Sequence, residues 1–209
     1  MVDPSALESK HRGVDAKPLG RREKRKIETR RALLEAAYRL FTERGYEATT
    51  MDDVADAAGV SRRTAFRYFP TKDQLVFPER DRRLAFFRAI LTEDPKAEPW
   101  AAIRHAVLGM AREYEGDKEW LLTQDRLVQA SPELAGLEIR FDKAFEDAIV
   151  ERLRNGERTK AAARRARVLG AAVMGVIRAS LREWLDAGAT DDLQRLGEEG
   201  FEVLERGIR

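Results

Sequence analysis

Cysteine is absent from the 209 residues, and histidine occurs only twice, at His11 and His105. The absence of cysteine excludes disulfides, thiolate metal sites and cysteine nucleophiles. The two histidines lie in different regions, so we expect no metal site built on both. No apolar run approaches the roughly 20 residues of a bilayer-spanning helix, and the N-terminus lacks the apolar core of a secretion signal. We therefore expect a cytoplasmic protein that has no contact with a membrane.

Common catalytic motifs are also missing. The sequence contains no phosphate-binding glycine loop, no GxSxG and no HExxH. Asp52 and Asp53 are adjacent, so they point to different faces of a helix, and a helix N-terminus explains both acids. We find no catalytic residues, no metal ligands and no cofactor site, and we predict that the protein is not an enzyme.

Charge is plentiful but unevenly distributed. Charged residues make up 36% of the chain, whose net charge is only +2. Residues 1–31 hold ten Lys or Arg against five acids, which leaves −3 for everything after them. We expect a flexible basic arm at 1–22. The run RREKRKIETRR at 21–31, including Arg30, suits contacts with DNA phosphates, and a solvated helix start is the alternative.

The hydrophobic pattern is helical throughout. Apolar residues recur at three- and four-residue spacing, and no stretch shows the alternation of a strand, so we predict an all-α protein of about nine helices. The helix that follows Pro70 contains Pro78, where a kink, a break or a later helix start is expected. Small residues at 161–175 predict close helix packing. The remaining long helices are predicted near 23–44, 99–115, 117–130, 133–155, 159–187 and 190–207.

The stretch from Thr49 to Lys72 predicts two short helices joined by a tight turn. Thr50 can cap the first helix, and Asp53 three residues later completes a capping box. Gly59 can adopt the positive φ that a turn requires, and Ser61 can cap the second helix.

The second of these helices has two chemically different faces. Ala65 and Phe69 are four residues apart and can both point inward, whereas Arg63, Thr64, Arg67 and Tyr68 fall mostly on the other side. Arg62 stands at the helix start, where a long side chain projects forward. Arginine can hold guanine O6 and N7 with two hydrogen bonds, and Tyr68 and Lys72 suit phosphate contacts. A solvated helix hairpin is the alternative. The candidate DNA contacts are Arg30, Thr50, Ser61, Arg62, Arg63, Thr64, Phe66, Arg67, Tyr68 and Lys72.

A set of residues between about 27 and 77 carries a family resemblance. The set comprises residues 36–41, Gly45-Tyr46, Thr49-Thr50, Val54-Ala55, the Ala58-Gly59-Val60-Ser61 turn, Thr64, Tyr68-Phe69, Lys72 and Leu75. With these residues the segment resembles the DNA-binding domain of the TetR family of transcriptional regulators. The position of Phe66 is commonly Tyr in that family, so this chain lacks a hydroxyl donor there. The resemblance implies a DNA-binding domain at 23–76 and a helical ligand-binding and dimerisation domain at 77–209.

The C-terminal half holds all three tryptophans and several further aromatic residues. An apolar cavity between helices is a common place for a small molecule, although aromatics at helical spacing also form ordinary cores. Within the family resemblance, the runs RRTAFRYFPTKDQLVF at 62–77 and RLVQASPELAGLEIRFDKAFEDAIVERLR at 126–154 are similar to a branch that binds acyl-CoA-like ligands. This resemblance implies an apolar or amphipathic effector such as an acyl-CoA or a fatty acid. The candidate ligand-binding residues are Phe87, Trp100, Ile103, His105, Met110, Tyr114, Trp120, Arg126, Phe141, Phe145, Met174 and Ile177.

These features predict a transcriptional regulator. The resemblance implies a ligand-responsive repressor that binds a palindromic operator as a homodimer, through the helices near 159–187 and 190–207. A ligand-responsive activator and an architectural DNA-binding dimer without an effector are the alternatives.

Overall fold

The computed structural model describes residues 20–207, and these residues form ten α-helices and no β-strand. The all-α prediction is confirmed. The predicted arm, apart from its last residues, and His11 lie outside the described residues. None of the described helices is both long and apolar enough to cross a membrane. In chain order the helices are α1 Arg21–Arg44, α2 Met51–Ala57, α3 Arg62–Tyr68, α4 Asp73–Val76, α5 Arg80–Thr92, α6 Pro99–Gly116, α7 Lys118–Ala130, α8 Pro132–Arg154, α9 Lys160–Asp186 and α10 Leu193–Arg206.

The helical conformation is interrupted at Pro78. The region predicted as a single helix consists of α4, which ends at Val76, and α5, which begins at Arg80. Phe77 leaves the helical region with φ −115° and ψ 57°, as expected for a residue that precedes proline. The break explains why the described residues form ten helices where about nine were predicted.

The described residues divide into two compact units. The head contains residues up to 78 together with 123–135, and the body contains 79–122 and the residues from 136 onward. The sequence had placed all of 77–209 in the second domain. In the returning segment of the head, Leu127, Val128 and Leu134 are buried. The Ser131 hydroxyl donates a hydrogen bond to the Glu47 carboxylate, and this bond holds the pKa of Glu47 below its ordinary value.

The head is organised on α1, which buries one face and contacts both α2 and α4. The buried face was predicted from its apolar spacing and includes Leu33, Leu34, Ala37, Leu40 and Phe41. Phe41 packs against Tyr46 with ring centroids 5.2 Å apart. The Tyr38 hydroxyl donates a 3.2 Å hydrogen bond to the Val76 carbonyl. These contacts fix α1 against the segments that precede and follow α3.

The main apolar core of the body is supplied by α5, α6, α8, α9 and α10, and a smaller cluster around Trp184 and Leu121 lies beside it. Three glycines bring its helices close together, because a Cβ at Gly109, Gly170 or Gly200 would lie 2.8, 2.7 or 2.6 Å from a side-chain methyl of a neighbouring helix. Gly170 belongs to the small-residue stretch in which close packing was predicted. The core cluster comprises Phe87, Leu91, Ile103, Ala106, Val107, Met110, Ala148, Ile149, Val173, Met174 and Phe201.

Candidate nucleic-acid interface

The N-terminus of α2 is closed by a complete capping box. The Thr50 hydroxyl accepts from the Asp53 backbone N–H at 3.1 Å, and the Thr50 N–H donates to the Asp53 carboxylate at 2.8 Å. The Thr50 hydroxyl also donates to that carboxylate, and together these bonds hold the pKa of Asp53 below its ordinary value. Two N–H groups that a helix start leaves without partners are thereby satisfied, which fixes where α2 begins.

The turn between α2 and α3 depends on Gly59, whose φ is +67°. L-residues with a Cβ rarely adopt this conformation, so glycine suits the turn. Ser61 caps α3 as predicted, since its hydroxyl accepts from the Thr64 N–H at 3.2 Å. The Ser61 and Thr64 hydroxyls also lie 2.9 Å apart. The direction of α3 relative to α2 is therefore set by local hydrogen bonds.

One face of α3 is buried, and the opposite face is open to solvent. Ala65 is 0% exposed and Phe69 only 3%, which confirms that both point into the head. Arg63 and Arg67 are exposed on the other face, and Arg62 is exposed at the first residue of the helix, on the side of α2. Burial of the apolar side fixes the rotation of the helix, so Arg63 and Arg67 face solvent together, with Arg62 exposed at the helix start.

The contacts of the exposed arginines are weak and exchangeable. Arg62 forms a 2.9 Å ion pair with Asp52 of α2, and both side chains are more than half exposed. Its guanidinium also lies 5.4 Å from the Phe66 ring centre, and that of Arg67 lies 5.4 Å from the ring centre of Tyr68. Exposed ion pairs contribute at most about 1 kcal/mol, so DNA can replace these contacts at little cost.

Lys72 and Arg30, both predicted to contact phosphates, form hydrogen bonds within the head. The Lys72 ammonium donates to the carbonyls of Tyr46 and Thr49 at 2.9 and 3.1 Å, and it lies 4.0 Å from the Tyr46 ring centre. Arg30 donates to the Pro78 carbonyl at 3.3 Å, and its guanidinium lies 5.3 Å from the Phe69 ring centre. Both cations therefore hold the head together, and sequence spacing gave no indication of either role. The sequence also missed Asp52 as the partner of Arg62.

Eight of the twelve candidate ligand-binding residues meet in the body core. Trp120 is also buried but is not in that cluster, and Phe141 lies under the Arg80 guanidinium at 3.9 Å. His105 is largely exposed, 3.8 Å from a Glu93 carboxylate oxygen, and Arg126 is exposed. The eight are the cluster members Phe87, Ile103, Met110 and Met174, with Trp100, Tyr114, Phe145 and Ile177 packed against them.

No group of three or more His, Asp or Glu side chains in residues 20–207 is arranged to hold a metal ion.

Two capped helices joined by a glycine turn, with arginines on the open face of the second helix, define a helix-turn-helix DNA-binding protein. Comparison with known families agrees. Residues 33–77 match the family "Bacterial regulatory proteins, tetR family", and residues 97–209 match the family "MftR C-terminal domain". The chain belongs to the tetR family of bacterial regulatory proteins, with a C-terminal domain of the MftR type, and it is a DNA-binding transcriptional regulator.

Similar proteins cover nearly the whole chain. The putative mycofactocin biosynthesis transcriptional regulator MftR of Mycobacterium tuberculosis is 23% identical over 88% of this chain and 93% of its own length. The HTH-type transcriptional repressor AcnR of Corynebacterium diphtheriae is 24% identical over 86% of this chain and 91% of its own. Among solved structures, Thermus thermophilus FadR, a TetR family transcriptional repressor in complex with lauroyl-CoA, is 26% identical with a TM-score of 0.54, covering 86% of this chain and 95% of its own.

Proposed function

We propose that the protein is a homodimeric repressor that binds a palindromic DNA operator and dissociates when a small amphipathic effector binds the body. The observation that carries this proposal is the open face of α3. Ala65 and Phe69 hold the other face in the head core, so Arg63 and Arg67 remain available to base edges, and Arg62 is exposed beside them at the helix start. Arginine bound bidentately to guanine contributes about 1–3 kcal/mol of discrimination against other bases.

A dimer is proposed because α3 is only seven residues long and a single short helix contacts little DNA. A two-fold dimer doubles the contact and places two such helices about 34 Å apart, in successive turns of the major groove. The exposed aliphatic residues Val168 of α9 and Val203 of α10, 64% and 70% exposed, support an interface on these helices. Ala171, Gly175 and Ala179 continue the exposed strip on α9 and would allow another helix to approach closely.

The sign of regulation and the effector class are proposed from the similar proteins. AcnR and T. thermophilus FadR are both named as repressors, and that FadR structure holds lauroyl-CoA. A body built around aromatic and Met side chains suits an apolar or amphipathic effector of the fatty-acid or acyl-CoA kind. We further propose that the protein has no enzymatic activity and acts in the cytoplasm, where bacterial chromosomal DNA lies.

The role of α3 can be tested by replacing Arg62 and Arg63 together with alanine. Loss of two base contacts in each of two subunits should weaken specific operator binding at least about 1,000-fold. A gel shift against genomic fragments selected by the wild type, with size exclusion to verify the assembly, measures this. The double variant Arg112→Ala plus Arg140→Ala, which removes two exposed cations from the body, is the matched control. Undiminished specific binding by the α3 variant would contradict the assignment.

The proposed interface can be tested by replacing Val168 and Val203 together with aspartate. A two-fold interface buries each valine twice, and each burial is worth about 1.5–3 kcal/mol, so the variant should sediment as a monomer at micromolar concentration. Ile139→Asp is the control, because Ile139 is 72% exposed on α8, outside the proposed interface. If the valine variant remains a dimer while folded, the interface lies elsewhere.

A further inference from the structure

A cleft of about 450 Å³ opens between the second half of α5 and the end of α8, within the body. Its volume lies in the range of about 300–1,000 Å³ that is typical of small-molecule sites. Its apolar surface includes Ala89, Leu91 and Ala148, two of which also belong to the body core. None of the residues singled out as ligand-binding from the sequence lines this cleft.

Arg152 contributes a fixed cation to the cleft. Its Nη2 donates to the carbonyl oxygens of Asp94 and Ala97 at 3.2 and 2.6 Å, in the segment between α5 and α6. The Nε of the same guanidinium is buried and has no hydrogen-bond partner among the described residues. The two bonds of Nη2 hold the guanidinium in place, and its positive charge lies in the wall of the cleft.

A second cation and one acid complete the charged part of the lining. Arg88 is exposed on α5, and its guanidinium has no hydrogen-bond or ion-pair partner within residues 20–207. Glu151 is exposed on α8 and is the one acidic residue among those that line the cleft. Two guanidinium groups against one carboxylate make the cleft locally positive, beside an apolar floor of small side chains.

We propose that this cleft binds an anionic, amphipathic small molecule. Its anionic group would lie between Arg88 and Arg152, and its apolar part would cover Ala89, Leu91 and Ala148. The inference rests on the proposed function, because this molecule would be the effector. A molecule bound between α5 and α8 could regulate the protein, because an occupied cleft favours the α5–α8 separation that accommodates the ligand. Of these two helices, α5 is the first helix after the break at Pro78.

Fluorescence titration of the full chain with 8-anilinonaphthalene-1-sulfonate tests the cleft. We expect one saturable site per chain, and at least about tenfold weaker binding of N-phenyl-1-naphthylamine, which has the same rings but no sulfonate. Arg88→Gln should weaken sulfonate binding about tenfold, and Ala89→Trp should abolish it by filling the cleft. Glu151→Gln should strengthen it, because a like charge is removed. Arg140→Gln, which removes an exposed cation elsewhere on α8, should leave it unchanged.

The substituted residues are exposed, so circular dichroism should show folded variants. Equal binding of the neutral analogue, wild-type affinity in both Arg88→Gln and Ala89→Trp, or weaker binding by Glu151→Gln would each overturn the proposal. Failure of the proposed function is seen separately, because operator binding by the wild type is measured by gel shift with and without the dye. If the dye binds this cleft but operator binding is the same with and without it, the cleft stands and its regulatory role is refuted.

Discussion

Replacing Asp117 with asparagine should destabilise the body more than replacing Arg83 with methionine. The Nη2 of Arg83 donates to an Asp117 oxygen at 3.2 Å, and the two side chains are only 7% and 6% exposed. Arg83 also lies over the Tyr114 ring at 4.8 Å, and its Nε is buried without a hydrogen-bond partner among the described residues. Asp117 has a second cation near it, since Arg82 is 4.0 Å away.

The unequal surroundings of the two partners set the expected magnitudes. Removing one member of a buried ion pair costs about 3–5 kcal/mol, because the other charge is left buried without compensation. Asparagine keeps the shape of Asp117 and one carbonyl acceptor, so we expect the lower end, about 3 kcal/mol. Methionine at 83 fills much of the arginine volume, and Asp117 keeps Arg82 nearby, so we expect about 1 kcal/mol. The double variant should be more stable than Asp117→Asn alone.

Urea unfolding followed by tryptophan fluorescence is a suitable assay, because all three tryptophans lie in the body. Protein concentration must be held constant, since dimerisation would add to the apparent stability. Asp147→Asn is the control. Its 2.5 Å ion pair with Lys143 is shorter, but both side chains are about 60% exposed, so the loss should stay below about 1 kcal/mol. The reasoning is refuted if Asp117→Asn costs no more than this control, or less than Arg83→Met.

Two further substitutions test close packing and pH dependence. Gly200→Ala should cost about 1–3 kcal/mol in the same assay, since its Cβ would lie 2.6 Å from the stiff side chain of Val176. Gly136→Ala, whose Cβ meets only a guanidinium nitrogen at 3.8 Å, should instead stabilise α8 by about 0.5–1 kcal/mol, and opposite signs would contradict the packing. Burial raises the pKa of Tyr46 above its ordinary value of 10.0. The unfolded chain therefore loses this proton first, and stability that is complete below pH 10 falls as the pH rises further. The free energy of unfolding of Tyr46→Phe should fall less steeply with pH than that of the wild type when unfolding is followed by circular dichroism. Identical slopes would count against a buried phenol.

The geometry of the DNA-binding helices could be predicted because its determinants are local. The Thr50–Asp53 capping box and the Ser61 cap join residues three positions apart, and Gly59 acts through its own φ. The inward face of α3 follows from the four-residue spacing of Ala65 and Phe69. Such features need no knowledge of how distant segments meet.

The contacts of individual basic side chains could not be predicted in the same way. Lys72 and Arg30 were predicted to contact phosphates, which stays a prediction, and the carbonyls to which they donate in the head lie 23 to 48 residues away along the chain. Arg83 and Asp117 are 34 residues apart, and no spacing rule distinguishes this buried pair from the many exposed ones. The cleft between α5 and α8 likewise joins segments about 60 residues apart.

By itself, the sequence determined the all-helical class, an irregularity at Pro78 whose form it left open, and the arginines of α3, because hydrogen bonds and steric limits within one or two helical turns decide these features. Only the tertiary structure decided that residues 123–135 belong to the head, which charges are buried, and where the body keeps an open cleft. Burial and cavity shape depend on which helices meet and how closely, and side chains far apart in the chain jointly determine that outcome.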